Sequence, residues 1–260
     1  MNHTAMKYYL IKYIVFLFAP IIFCNSGYAL EQTKSPILYV DYENHQLNSG
    51  KAGVEVDVTT NDSIVVDCDT ARKGKCSVKS LVKNDPNYIA FGALRSETNA
   101  SKVPGVVYKS GDHFHYYFSL MVDKNWDELS DPNALDIIWQ FKRFGSGPDM
   151  FIGVKKNSIA WRIAESDQIT LVDPLPRGKW IDFFYDIRWA DNNDGYATLK
   201  VSVEGWQAKI YSFKGRTMRN AESKNGTVQW GLYKPGNREN FHFNNHSVNH
   251  DEIYIYRIID

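Results

Sequence analysis

In Leu135-Asp136-Ile137-Ile138-Trp139-Gln140-Phe141-Lys142-Arg143 an amide and a cation stand two residues apart in a largely apolar run. Side chains of a strand alternate between faces. Ile137, Trp139 and Phe141 are therefore expected on one face, with Ile138, Gln140 and Lys142 on the other. An amide beside an ammonium on the open face of a half-buried strand makes the floor of a polar groove. Three further segments sort the same way. Arg95 and Glu97 share a face of Ala93-Leu94-Arg95-Ser96-Glu97. His115, Tyr117 and Ser119 oppose the rings Phe114, Tyr116 and Phe118. Thr227, Gln229, Gly231 and Tyr233 oppose Val228, Trp230 and Leu232. If the four strands are neighbours in one sheet, Arg95, His115, Tyr117, Gln140, Lys142, Gln229 and Tyr233 form one surface. Its cations and amides would hold an anion, and its phenol or imidazole would move a proton. Taken singly, Arg95 with Glu97 reads equally as a structural ion pair and His115 as a solvated histidine. Gly231 adds a pointer, because glycine inside a strand marks close approach of a ligand or another backbone.

The elements that would position these residues are almost all strands. Period-two alternation, or a short apolar run bounded by Gly, Asn, Asp or Pro, marks 37–42, 54–58, 64–67, 88–95, 114–122, 136–142, 150–154, 159–163, 180–189, 197–203, 208–212, 227–233 and 252–259. Only 125–129 has the pattern of a helical turn. Many short strands with scarcely a helix predict an all-β chain of two packed antiparallel sheets. Asp191-Asn192-Asn193-Asp194-Gly195 is acidic and ends in glycine, but the bidentate acid of a calcium loop is missing where Val201 stands. It is expected to be a turn between strands.

Lys7 and Lys12 precede an apolar run from Tyr13 to Phe23 and a small-residue exit ending at Ala29. This is the pattern of a secretory signal peptide over 1–29, too short for a spanning helix. One domain is expected over 30–260, secreted or periplasmic, monomeric and free of the membrane after cleavage. Cys24 leaves with the leader, so Cys68 and Cys76 remain as an even pair in an oxidising compartment, where a disulfide is expected. Lys plus Arg and Asp plus Glu number 30 each. The chain therefore lacks the global basic field of a nucleic-acid-binding protein, and any polyanion must be held by a local groove. The 7 Trp, 16 Tyr and 14 Phe suit both a sandwich core and stacking on sugar faces.

From about Tyr88 onward the chain resembles the polysaccharide lyases with a concanavalin A-like jelly roll. The likeness is to the heparin lyase I and glucuronan lyase group and, more distantly, to the alginate lyases. Arg95-Ser96-Glu97 is similar to their Arg-x-Glu strand motif, and His115-Tyr116-Tyr117-Phe118-Ser119-Leu120 to the aromatic strand after it. Asn125-Trp126 resembles the Asp-Trp turn of that group. Trp139-Gln140-Phe141-Lys142 falls where the family has Gln-x-His, and Gln229-Trp230-Gly231-Leu232-Tyr233 where it has Lys-x-Gly-x-Tyr. Lys142 thus replaces the family histidine and Gln229 the family lysine, while the proton-carrying tyrosine corresponds to Tyr233.

The resemblance implies a jelly roll with a concave carbohydrate groove and β-elimination on a uronate glycan. The C5 proton leaves, the C4–O bond breaks and an unsaturated sugar remains. That proton is hardly acidic beside a charged carboxylate, so the site must neutralise the carboxylate. Gln140 through its amide, Arg95 as a fork and Lys142 as a point charge are assigned that task. Tyr233 carries the proton, its phenolate favoured by a nearby cation, and His115 is a substitute base. Glu97, Tyr117, Gln229 and Lys234 are assigned to substrate binding. No metal and no cofactor are assigned, and no ligand cluster argues for a structural calcium. A binding protein that keeps the groove without turnover is the second reading. A glycoside hydrolase would need two carboxylates flanking the bond, and Glu55-Val56-Asp57 lacks the third member of the usual cluster.

Overall fold

The computed structural model describes residues 35–127, 135–236 and 243–259. The expected signal peptide, Cys24 and residues 128–129 of the expected helical turn lie outside them. Among the described residues the strands are, in chain order, β1 (Leu38–Val40), β2 (Glu55–Asp57), β3 (Ile64–Asp67), β4 (Ser77–Lys83), β5 (Ile89–Ala90), β6 (Ala93–Asn99), β7 (Tyr108–Lys109), β8 (His113–Val122) and β9 (Asp136–Arg143). They continue as β10 (Pro148–Lys155), β11 (Ser158–Ile163), β12 (Ile169–Val172), β13 (Trp180–Arg188), β14 (Tyr196–Val203), β15 (Lys209–Lys214), β16 (Asn225–Lys234) and β17 (Asn245–Ile258).

One antiparallel sheet runs β15, β14, β13, β8, β17, β4, β3, with β1 beside β17. The other runs β12, β11, β10, β9, β16, β6, β2, with β5 beside β6 and β7 beside β16. This is the expected all-β jelly-roll sandwich. No helix of the described residues is long and apolar enough to cross a membrane.

The inward faces of both sheets meet in an aromatic core. Phe118 of β8 lies flat on Trp139 of β9, ring centroids 3.7 Å apart, and Phe183 of β13 stacks on Phe118 at 4.8 Å. Each large apolar side chain so buried contributes roughly 1.5–3 kcal/mol. A buried polar network anchors the β9–β10 turn. Arg143 grips Asp149 through Nε at 3.0 Å and Nη2 at 3.1 Å, and the Tyr108 hydroxyl donates to the same carboxylate at 2.9 Å. The Cys68–Cys76 disulfide is present. It closes the loop of the β3–β4 hairpin just beyond its last pair, Asp67 with Ser77.

Several boundaries depart from the alternation. The run 88–95 is broken: a 3₁₀ turn, Pro86–Tyr88, is capped by the Asp85 carboxylate and leads into β5. Phe91 and Gly92 then turn the chain at φ 49° and 80° before β6 begins. β4, β7 and β12 add to the expected strands; β4 is largely polar and β7 only two residues long. β17 begins at Asn245 rather than Glu252, which instead carries a bulge at φ 53°. Asn125 lies in a turn held by Asp123, with no helix through Asp127.

Candidate active site

β6, β16 and β9 lie side by side, and their register builds the site. Across β6 and β16, Arg95 is opposite Tyr233, Glu97 opposite Gly231 and Asn99 opposite Gln229. Across β16 and β9, Gln229 is opposite Gln140 and Thr227 opposite Lys142. Cβ atoms of such pairs are about 4.5–5.5 Å apart. Arg95, Glu97, Gln140, Lys142, Gln229 and Tyr233 therefore share one patch. It lies on the outer face of the nine-stranded sheet, because the alternate residues Leu94, Trp139, Phe141, Val228, Trp230 and Leu232 are in the core.

Two irregularities shape the patch. Trp139 is opposite Ile152 of β10 and Ile137 is opposite Gly153, so Ile138 is an extra residue in β9. Ile138 joins Trp139 and Phe141 in the core, and Ile137 is buried outside that cluster. Simple alternation, which groups Ile137 with Trp139, fails at this bulge. From the opposite sheet, His250 Nε2 donates to the Ile138 carbonyl at 3.0 Å. Burial pushes His250 down to about 3, so it is neutral. The second irregularity is Gly231 at φ 127°, where a Cβ would lie 2.2 Å from the Ser96 carbonyl oxygen. The close approach signalled by this glycine is that of the β6 backbone.

The Gln140 amide reaches across β16. Its Nε2 donates to Glu97 Oε1 at 2.6 Å and to Gln229 Oε1 at 3.0 Å. Both amide hydrogens are engaged within the protein. Neutralising an anion thus falls to the cations rather than to the Gln140 amide. Arg95 lies over the Tyr233 ring, its Cζ 4.3 Å from the centroid, with Nε 3.3 Å from Glu97 Oε2. Although these residues are on an outer face, Gln140 is 0 % and Glu97 2 % exposed. They form a floor beneath Arg95, Lys142 and Tyr233.

The electrostatics follow from that crowding. Burial raises Glu97 to about 7, offset only in part by Arg95 and by the hydrogen bond from Gln140. Burial and the repulsion of Arg95 and Arg219 lower Lys142, with Glu97 acting against them. Burial and Arg219 lower Arg162, whose guanidinium lies over the Phe151 ring at 4.4 Å. Phe151 is opposite both Gln140 and Arg162, so the cationic strip extends from Lys142 across β10 to β11. Partly dehydrated cations that repel one another gain when an anion arrives.

Three assigned residues lie elsewhere. His115 and Tyr117 are on β8, in the eight-stranded sheet, opposite Asp186 and Phe184 of β13. Their side chains face outward from that sheet, on the other side of the sandwich from Tyr233. Parity gave the correct face of the strand, but the strand belongs to the other sheet. Lys234 alternates with Tyr233 and so turns inward, fully buried, where it pairs with Asp136. Asp136 also accepts from His246 at 2.7 Å. Lys234 is thus a core ion-pair residue and lies off the groove face. Arg162, Arg219 and Phe91 were missed. Arg162 was legible as the outward residue between Trp161 and Ile163. Phe91, 81 % exposed beside Arg95, is marked only by its neighbour Gly92, and Arg219 lies outside the strands with no periodic signal.

A family pattern described as polysaccharide lyase matches residues 28–255. Comparison with curated proteins finds no match. Among solved structures, the fold resembles an endo-β-1,4-glucuronan lyase from the fungus Trichoderma reesei, with a TM-score of 0.66, 20 % identity and coverage of 86 % of this chain and 96 % of that one. It also resembles a marine alginate lyase from Aplysia kurodai, with a TM-score of 0.61, 12 % identity and coverage of 86 % and 100 %. A β-glucanase catalytic domain from Podospora anserina superposes with a TM-score of 0.64, 12 % identity and coverage of 87 % and 98 %. The fold alone is therefore common to lyases and a glucanase.

Proposed function

This chain belongs to the polysaccharide lyase family, and from that premise we propose that it cleaves a uronate-containing acidic polysaccharide by β-elimination on the outer face of the nine-stranded sheet. The observation that carries the reading is the convergence of Arg95, Lys142 and Tyr233 over the Glu97–Gln140–Gln229 floor. In this reading Arg95 and Lys142 meet the uronate carboxylate and take up the charge that grows on it as C5 loses its proton. Tyr233 accepts that proton and returns it to the O4 leaving oxygen as the C4–O bond breaks, leaving a C4–C5 double bond. Proton and electron pair balance without an external reagent. Gln140 positions Glu97 and Gln229 rather than meeting the carboxylate itself. The family's Gln-x-His is Gln-x-Lys here, so charge is supplied by an ammonium in place of an imidazole. The leader pattern over 1–29 and the Cys68–Cys76 disulfide support action outside the cytoplasm.

The test is ultraviolet absorbance of the purified protein with glucuronan, alginate, heparin, heparan sulfate, hyaluronan and pectate. A rise with an acidic member that is lost in Tyr233→Phe is the expected result. New reducing ends without the chromophore would mean hydrolysis and would overturn the proposal. Binding to a member of the panel with neither signal would assign the groove to recognition without turnover.

A further inference from the structure

On the opposite side of the sandwich, two histidines and a carboxylate converge. His113 and His115 stand two apart on β8 and so share its outer face, and Asp186 of β13 is directly opposite His115. Asp186 Oδ1 lies 2.8 Å from His113 Nε2 and 3.6 Å from His115 Nε2. All three ligand atoms lie within 4.8 Å of one another. The Tyr196 hydroxyl comes within 3.0 Å of the same His113 Nε2. One ring nitrogen has a single hydrogen or lone pair to offer, yet two oxygens crowd it and a second imidazole shares one of them.

We propose that His113, His115 and Asp186 form a binding site for a divalent transition metal of the zinc type. A tetrahedral ion with bonds of 2.0–2.2 Å places its ligand atoms about 3.3–3.6 Å apart; the His115–Asp186 separation already lies at the top of that span, and the His113–Asp186 contact needs to open by about half an ångström. Two imidazoles and one carboxylate are the borderline donors that zinc accepts, whereas calcium and magnesium require oxygen cages. The His-x-His pair on one strand with an acid across the ladder supplies three ligands and leaves the fourth position toward solvent and Tyr196. The side chains of His113, His115 and Asp186 are 13, 20 and 31 % exposed, so an ion has access without unfolding. His115 Nδ1 has no hydrogen-bond partner among the described residues. Ligand histidines usually carry such an outer partner, and its lack weakens binding about 10–100-fold. The ion would tie β8 to β13 on the face away from the groove.

The test is calorimetric titration of Zn²⁺ into the untagged, chelator-treated protein. The expected result is one ion per chain with a dissociation constant on the order of 1–10 μM, given the incomplete outer shell. Melting temperature should rise by about 5–10 °C at a hundredfold excess over that constant. Co²⁺ should give the intense visible bands of a four-coordinate ion, and Ca²⁺ should not compete. Asp186→Asn and His115→Gln should each weaken Zn²⁺ at least tenfold while melting like the wild type without metal. If one of them melts low, the other decides. His45→Ala, beside the disulfide, should change nothing. Absence of binding, binding that survives both substitutions, or loss of binding in His45→Ala would overturn the proposal.

Discussion

Glu97→Gln tests the electrostatics of the site floor most directly. Burial raises the Glu97 carboxyl from 4.5 to about 7. Between these values the folded protein holds a proton that the unfolded chain releases. The wild type therefore loses stability as pH rises from about 4.5 to about 7, then levels off. A shift of this size corresponds to about 3 kcal/mol at 1.36 kcal/mol per pH unit. Glutamine keeps the shape and cannot ionise, so the stability of Glu97→Gln relative to wild type should rise by about 3 kcal/mol between pH 4 and pH 8. For a domain of this size that is a relative gain of about 6–12 °C in melting temperature. Denaturant unfolding of both proteins at a series of pH values isolates the effect, since every other titrating group is common to the two. A difference that stays flat across the range would refute the claim that Glu97 is desolvated against a net penalty. A difference that falls with pH would mean that Arg95 outweighs burial.

Tyr233→Phe should reduce turnover by about 10²–10⁴-fold while leaving glycan affinity nearly intact, measured by absorbance and by calorimetry. Gly231→Ala places a Cβ 2.2 Å from a backbone oxygen at φ 127° and should cost well over 1 kcal/mol, read as a lower urea midpoint; a neutral substitution would contradict the register around the bulge. His250→Leu leaves the buried Ile138 carbonyl without its donor and should cost about 1–3 kcal/mol, with turnover falling as the Gln140 strand relaxes. Arg162→Ala should raise KM and flatten its dependence on salt with little change in kcat, because Arg162 lies along the cationic strip away from Tyr233.

Alternation along the chain determined most of the strands and the outward faces that carry Arg95, Glu97, Gln140, Lys142, Gln229 and Tyr233, and the even pair of cysteines left after the leader determined the pairing of Cys68 with Cys76. These depend on a period of two and on a count of cysteines, and both are written in the sequence. The same alternation also places Arg162 outward and Lys234, next to Tyr233, inward. The tertiary structure alone decided which strands are neighbours. β8 has the same polar parity as β6, β9 and β16, yet it pairs with β13 and β17, so His115 and Tyr117 face the opposite side. Pairing is set by contacts between residues far apart in the chain, and nothing in a strand's own period names its partner. The bulges at Ile138 and Gly231 belong to the same class. They shift side chains between faces by one residue, through a carbonyl held by His250 and a backbone that admits no Cβ, and only the assembled sheets fix either one.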